Sequence, residues 1–109
     1  MSWKIVYTAQ ARQDLRSIYE YICHELRAPI SAAKQSERIM QSIRELQNMP
    51  LRYRLFDNEP WRRMGLRFFP VDNYLIYYWP KEDSNVINIV RVIYGGRDVR
   101  KQLTETMEF

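Results

Sequence analysis

The chain has 109 residues, a hydrophobic fraction of 46% and a formal net charge of +4 at pH 7. These values predict one globular domain over residues 1–109 and argue against a disordered chain. No apolar run approaches the roughly 18 residues that a transmembrane helix needs. The N-terminus also lacks the charged-then-apolar start of a signal peptide. We therefore expect a cytoplasmic protein with no membrane contact, and its basic charge permits an anionic partner without requiring one.

The first half of the sequence predicts a strand and a helical hairpin. Trp3–Tyr7 is an aromatic and β-branched run typical of a strand, and the Thr8 hydroxyl can cap the helix that follows. A second helix begins near Pro29 or Ser31 and ends before Pro50. The apolar stripe of the first helix comprises Ala11, Leu15, Ile18, Tyr19, Ile22 and Leu26. The stripe of the second comprises Ala32, Ala33, Ile39, Met40, Ile43 and Leu46.

The second half predicts the sheet that this hairpin covers. The loop Pro50–Arg63 is polar and should be irregular, and the strands that follow it are Met64–Phe69, Asn73–Trp79 and Val86–Tyr94. Their short connections favour an antiparallel meander. Gly95 and Gly96 end the last strand, and Asp98 can cap a helix through about residue 102 or 103, before a frayed tail over 104–109. The predicted class is α+β, with an N-terminal strand and helical hairpin packed on a twisted antiparallel sheet.

Five arginines lie close together between residues 52 and 67, namely Arg52, Arg54, Arg62, Arg63 and Arg67. The guanidinium group suits carboxylate and phosphate recognition. Arg91 shares the isoleucine face of the last strand, so it either extends to solvent near the strand end or pairs with an acid. The strand order places Arg67, Arg91 and Arg97 near one rim of the sheet. Three interpretations stay open: the arginines form a solvated rim on one sheet edge, they hold a partner protein, or they contact RNA while tyrosines stack on bases.

The sequence argues against several kinds of active site. Cys23 and His24 are the single cysteine and histidine, and adjacent positions on a helix cannot turn toward one metal ion. The three glycines do not form a phosphate-binding loop. We expect no metal or other cofactor. A metal-free nuclease needs a general acid and a general base, and the predicted sheet contains no histidine, so we assign no catalytic residue.

Three motifs occur in a set order along the chain. The first helix fits A-x-x-D-L-x-x-I-x-x-Y-I from Ala11 to Ile22, and the second ends in L-x-x-x-P at Leu46–Pro50. The last strand leads into R-V-x-x-G-x-R-D from Arg91 to Asp98. In this order the motifs resemble toxins of the RelE/ParE superfamily of type II toxin–antitoxin systems, and the ParE branch more closely than the RelE branch.

The resemblance implies a toxin that inhibits bacterial growth and a small antitoxin whose acidic arm wraps it. Operator DNA would be contacted only through the antitoxin. ParE-like members inhibit DNA gyrase, whereas RelE-like members cleave messenger RNA in the ribosomal A site. We expect gyrase inhibition by binding. The alternatives are a ribosome-dependent messenger-RNA endonuclease, and a non-toxic relative that binds only its antitoxin.

The resemblance, the strand order and the grouping of arginines and tyrosines together give the candidate site residues. The candidates for target or RNA contact are Arg63, Arg67, Tyr94 and Arg97, and those for antitoxin binding are Arg67, Arg91 and Arg97. Arg67 and Arg97 match basic positions of the RNA-cleaving members, and Arg63 replaces one of their lysines. Gly65, Tyr74 and Leu103 stand where those members have a second lysine, an arginine and a tyrosine. These three departures favour the gyrase interpretation.

Overall fold

The computed structural model describes residues 3–95 and 99–105. The strands are β1 (Lys4–Tyr7), β2 (Arg67–Val71), β3 (Tyr74–Lys81) and β4 (Val86–Tyr94). The helices are α1 (Ala9–Glu20), α2 (Pro29–Arg44), α3 (Trp61–Met64) and α4 (Val99–Thr104), with a π-helical turn at Tyr21–Glu25 and a 3₁₀ turn at Glu45–Gln47.

The four strands form one sheet in the order β1-β4-β3-β2. Strands β2, β3 and β4 make the predicted antiparallel meander, and β1 joins β4 in parallel. Thr8 caps α1 as predicted, because its Oγ1 atom accepts a hydrogen bond of 3.0 Å from the backbone N–H of Ala11. The α+β class, with a strand and a helical hairpin packed on a sheet, is confirmed.

The sheet has a hydrophobic core on each face. Helices α1 and α2 supply Ala11, Ile39 and Ile43 to the first core, against sheet residues that include Ile76 and Tyr78. The second core contains Phe56, Trp61, Leu66, Tyr77, Val90, Ile93 and Leu103. Because these residues come from the loop, α3 and α4 as well as the sheet, the segment predicted to be an irregular loop covers the face opposite the hairpin.

Strand β2 begins three residues later than predicted and includes Pro70. It starts late because Gly65, at φ 93°, ends α3 before the strand begins. Pro70 is tolerated because its neighbour Phe68 donates its backbone N–H outward to the carbonyl of Arg54, away from β3. Residues two apart in a strand point their backbone groups the same way, so proline at this edge costs no sheet hydrogen bond.

The predicted apolar stripes were wrong at three positions. Tyr19 and Leu26 are 40% and 55% exposed, and Ala33 is also exposed. Leu26 leaves the buried face because the π-helical turn at Tyr21–Glu25 changes the helical period before it. Helix α4 continues through Thr104, just past its predicted end. The proposed cap Asp98 and residues 106–109 of the predicted tail lie outside the described residues. No helix in the described ranges is both long and apolar enough to cross a bilayer.

Candidate interaction site

Arg67 fastens the loop after α2 onto the sheet. It begins β2, and its Nη1 atom donates to the carbonyl of Tyr53 at 2.6 Å and to that of Leu51 at 3.4 Å. The Tyr78 hydroxyl beside it donates to the carbonyl of Pro50 at 2.8 Å. The Nε atom of Arg67 is buried and meets no acceptor within the described part of the chain. Arg67 is therefore first a structural residue, and its Nε atom is a buried donor without an acceptor in the described part of the chain.

Arg91 makes a bidentate ion pair with Asp14 of α1. Its Nε and Nη2 atoms lie 2.7 and 2.9 Å from the two carboxylate oxygens of Asp14, and the two side chains are 12% and 14% exposed. The Asp14 carboxylate also accepts the backbone N–H of Val92 at 2.9 Å, and Arg91 donates to Gln102 of α4 at 3.2 Å. Of the two explanations that the sequence left open for Arg91, the structure shows pairing with an acid. The pair joins α1, β4 and α4.

A β-bulge in β4 lies directly before Arg91, the residue that pairs with Asp14. Tyr77 pairs with Arg91 while Tyr78 pairs with Ile89, so Val90 is the extra residue. Strand β1 pairs with β4 only through Ile89, and beyond that point the edge of β4 is covered by α1. The Thr8 hydroxyl donates to the carbonyl of Val90 at 2.8 Å, and the Asp14 carboxylate accepts the backbone N–H of Val92, two residues further along the strand. The helix thus satisfies backbone groups that β1 is too short to reach.

Two of the remaining candidates are at the surface. Tyr94 ends β4, is 50% exposed and meets the Tyr74 ring edge to face at 5.8 Å. Arg63 lies on α3 with its side chain exposed, and its backbone N–H donates to a carboxylate oxygen of Glu59 at 3.1 Å. Arg97 lies outside the described residues. Within residues 3–95 and 99–105 neither side chain is held by a hydrogen bond, so Arg63 and Tyr94 can reach a partner.

The prediction that Arg67 and Arg91 share one rim of the sheet was wrong. Arg67 stands on the edge strand β2 and reaches the loop, whereas Arg91 stands on β4 and reaches α1 and α4. Strand β3 separates them. Arg63 belongs to α3, on the face opposite the helical hairpin. The described candidates therefore form separate surfaces.

Sequence reasoning did not identify a pocket beside α3. The pocket has a volume of about 440 Å³, and its lining includes Arg54, Phe56, Asp57, Asn58, Arg62 and Phe68. We call it the α3 pocket. The Arg54 guanidinium lies 5.0 Å from the centroid of the Phe68 ring, and Arg62 donates to Asp57 at 2.9 Å. The run of arginines was the signal in the sequence, but only the fold separates the half-buried Arg67 from the exposed Arg54 and Arg62.

Burial raises the pKa values of three tyrosines of β3. Burial raises the pKa of both Tyr77 and Tyr78 to about 12. The pKa of Tyr74 is raised by burial and, to a smaller extent, by the neighbouring Tyr94 and Tyr21 hydroxyls. At neutral pH these three groups keep their protons, so none of them is a phenolate that could act as a general base. No metal-binding group of three or more His, Cys, Asp or Glu residues occurs among the described residues.

The departures from the RNA-cleaving pattern at Gly65 and Leu103 have structural roles. Gly65 adopts φ 93°, a conformation that favours glycine, and its N–H closes the end of α3 by donating to the carbonyls of Trp61 and Arg62. Leu103 is 1% exposed and belongs to the second core. Tyr74 joins the surface aromatic pair with Tyr94. A lysine at 65 would be strained, and a tyrosine at 103 would enter a packed core.

Comparison with known proteins identifies relatives. A family described as "ParE toxin of type II toxin-antitoxin system, parDE" matches residues 5–99. A structure of a chromosomal ParDE toxin–antitoxin system from P. aeruginosa is similar, with a TM-score of 0.68, 22% identity, and coverage of 84% of this chain and 95% of that one. No curated protein gives a significant match.

Two RelE-type structures also share the fold. The RelBE2 toxin–antitoxin complex of Mycobacterium tuberculosis has a TM-score of 0.61 and 19% identity, covering 86% of this chain and 99% of that one. A mutant of E. coli toxin RelE in the free state has a TM-score of 0.62 and 11% identity, covering 97% and 94%. The fold is thus common to both branches, and the family match is to ParE.

Proposed function

Because the chain belongs to the ParE family of type II toxin–antitoxin toxins, we propose that it arrests bacterial growth by binding and inhibiting DNA gyrase. The observation that carries this choice is that Gly65 and Leu103 have structural roles in this chain, at positions where the RNA-cleaving members have a lysine and a tyrosine. Gly65 is needed in a left-handed conformation and Leu103 is buried in the core. Binding requires neither a general acid nor a general base. Since gyrase is in the cytoplasm, a cytoplasmic location is part of this proposal.

The proposed partner is a cognate antitoxin with an acidic segment. Similar folds have been solved as ParDE and RelBE toxin–antitoxin structures, and this chain carries a net charge of +4 that suits an acidic arm. Any contact with operator DNA would run through the antitoxin. The most direct source of the partner is the open reading frame beside the gene.

The candidate contact residues divide by their surroundings. Arg63 and Tyr94 are exposed and are proposed to contact the target, together with Arg97 on the strength of its sequence motif. Arg67 and Arg91 remain proposed antitoxin contacts along with Arg97, but both already hold the fold together. Substituting either of the two must therefore be accompanied by a thermal melt, which separates lost binding from lost folding.

Growth measurement tests toxicity. Induced expression of the chain alone should arrest growth, and co-expression of the neighbouring gene product should restore it. Arg63→Ala should reduce the arrest, whereas Arg12→Ala, on an exposed part of α1, should not. Normal growth with soluble, folded protein present would support the non-toxic alternative instead.

The endonuclease alternative rests on the fold shared with RelE structures. Primer-extension mapping of cellular transcripts after induction distinguishes it from the gyrase proposal. We expect intact messages at the earliest times of growth arrest. Codon-phased cuts within open reading frames would overturn the gyrase proposal in favour of ribosome-dependent cleavage.

A further inference from the structure

The α3 pocket combines an aromatic wall with two exposed guanidinium groups. Phe56 is 9% exposed, and its ring meets those of Trp61, Phe68 and Tyr77 edge to face, which makes this wall rigid. The backbone around it is also fixed, because Phe56 donates to the carbonyl of Leu66 and Phe68 donates to that of Arg54. A volume of about 440 Å³ lies within the usual range for binding pockets, roughly 300–1,000 Å³.

The charge of the pocket is positive and partly uncommitted. Arg62 is paired with Asp57, and their side chains are 52% and 84% exposed. Arg54 is different: the described part of the chain offers its guanidinium no carboxylate and no hydrogen-bond acceptor, and it rests over the Phe68 ring. Contact with the ring restricts the side chain while its N–H donors remain able to bind a carboxylate. Arg52 and Arg63 are exposed nearby in the sequence and add to the positive field.

We propose that the α3 pocket seats an acidic segment of the antitoxin, with a carboxylate on Arg54 and an apolar side chain against Phe56 and Phe68. This inference rests on the proposed function, because it gives the proposed antitoxin a docking site. A buried aromatic wall with a preorganised arginine is the composition typical of energetically dominant interface positions.

The same pocket fits a protein segment better than a nucleic acid. The Phe68 ring already stacks on Tyr77 at 5.5 Å and carries the Arg54 guanidinium at 5.0 Å. A nucleobase would have to displace the arginine in order to stack on this ring. Asp57 also lines the pocket and would repel a phosphate chain. A single carboxylate beside an apolar side chain leaves Arg54 on the Phe68 ring and meets less repulsion from Asp57 than a chain of phosphates would.

The test is calorimetric titration of the folded toxin with the purified product of the neighbouring antitoxin gene. Arg54→Glu should weaken binding at least about tenfold, equivalent to ~1.4 kcal/mol, and Arg54→Gln should weaken it less. Asp57→Asn should tighten binding, because it removes a repulsive carboxylate and releases Arg62. The matched control is Arg12→Glu, which makes the same charge change on α1 and should alter the affinity by less than about twofold.

The possible failures are distinguishable. If the wild-type chain does not bind the neighbouring gene product, the proposed function itself fails and this inference fails with it. If wild type binds but Arg54→Glu and Arg12→Glu have equal affinities, net charge explains the effect and the pocket is not the site. The pocket would instead be assigned to nucleic acid if wild type binds a ten-nucleotide oligouridine and Arg54→Glu abolishes this binding while leaving the antitoxin affinity unchanged. Thermal melts of each variant confirm that it is folded.

Discussion

Removing the Asp14 carboxylate should destabilise the protein strongly. In Asp14→Ala, Arg91 loses two hydrogen bonds, of 2.7 and 2.9 Å, and the backbone N–H of Val92 loses its acceptor at 2.9 Å. Because both side chains of the pair are less than 15% exposed, water replaces these bonds poorly. Breaking such a pair from one side costs roughly 3–5 kcal/mol, against a total stability of about 5–15 kcal/mol for a domain of ordinary size.

Urea denaturation followed by circular dichroism measures this loss. Asp14→Asn should cost less than Asp14→Ala, because its amide oxygen can still accept one hydrogen bond. The control is Glu37→Ala, which breaks the exposed pair with Arg44, whose side chains are 70% and 48% exposed respectively. Exposed pairs contribute roughly 0–1 kcal/mol. If Asp14→Ala is no more destabilising than Glu37→Ala, then the Asp14–Arg91 pair does not hold the helices to the sheet.

Three further predictions concern the sheet and the end of α3. Tyr78→Phe leaves the Pro50 carbonyl without its 2.8 Å hydrogen bond and should cost about 1–3 kcal/mol in urea denaturation; an unchanged midpoint would contradict this. Tyr77 and Tyr78 have folded-state pKa values of about 12, above the ordinary 10.0, so their contribution to stability is complete below about pH 10 and is lost as pH rises through 12. Melting temperatures measured across that range should fall, and less steeply for Tyr78→Phe than for wild type; parallel curves would refute the assignment to Tyr78. Gly65→Ala should cost about 1–2 kcal/mol, because alanine is strained in the left-handed backbone conformation. Side-chain contact adds little to this cost, because a Cβ there would be at ordinary distances of 3.7 and 3.8 Å from the Trp79 ring. Gly65→Asn should cost less, and equal losses would contradict the conformational explanation.

The sequence was sufficient for the parts of the fold that depend on periodicity. The spacing of Ala11, Leu15 and Ile18 identified the helix face, and the β-branched run Val86–Tyr94 identified the central strand with its boundaries. The same method failed at Leu26, because a π-helical turn shifts the period without a residue type that marks it. It also placed β2 too early, since the helix-ending role of Gly65 depends on a backbone angle.

The candidate site was predictable only in part. The Arg91 side chain had to be explained by an acid or by solvent, yet nothing in the sequence identified Asp14, which lies 77 positions away, as its partner. Five neighbouring arginines were visible, but their spacing could not show that Arg67 turns inward to the Tyr53 carbonyl while Arg54 rests on Phe68. Which side of a strand each arginine takes depends on register and on the course of the loop, and both are tertiary properties.

The supercoiling activity of purified DNA gyrase tests whether the chain inhibits this enzyme. The folded chain is added to gyrase, relaxed plasmid and ATP, with and without a molar excess of the neighbouring antitoxin. We expect the chain to inhibit supercoiling in proportion to its concentration, and the antitoxin to restore activity. Arg63→Ala should weaken the inhibition, whereas Arg12→Ala should not. Gyrase inhibition would be contradicted if the chain arrests growth in cells but leaves supercoiling unimpaired when it is in large molar excess over purified gyrase.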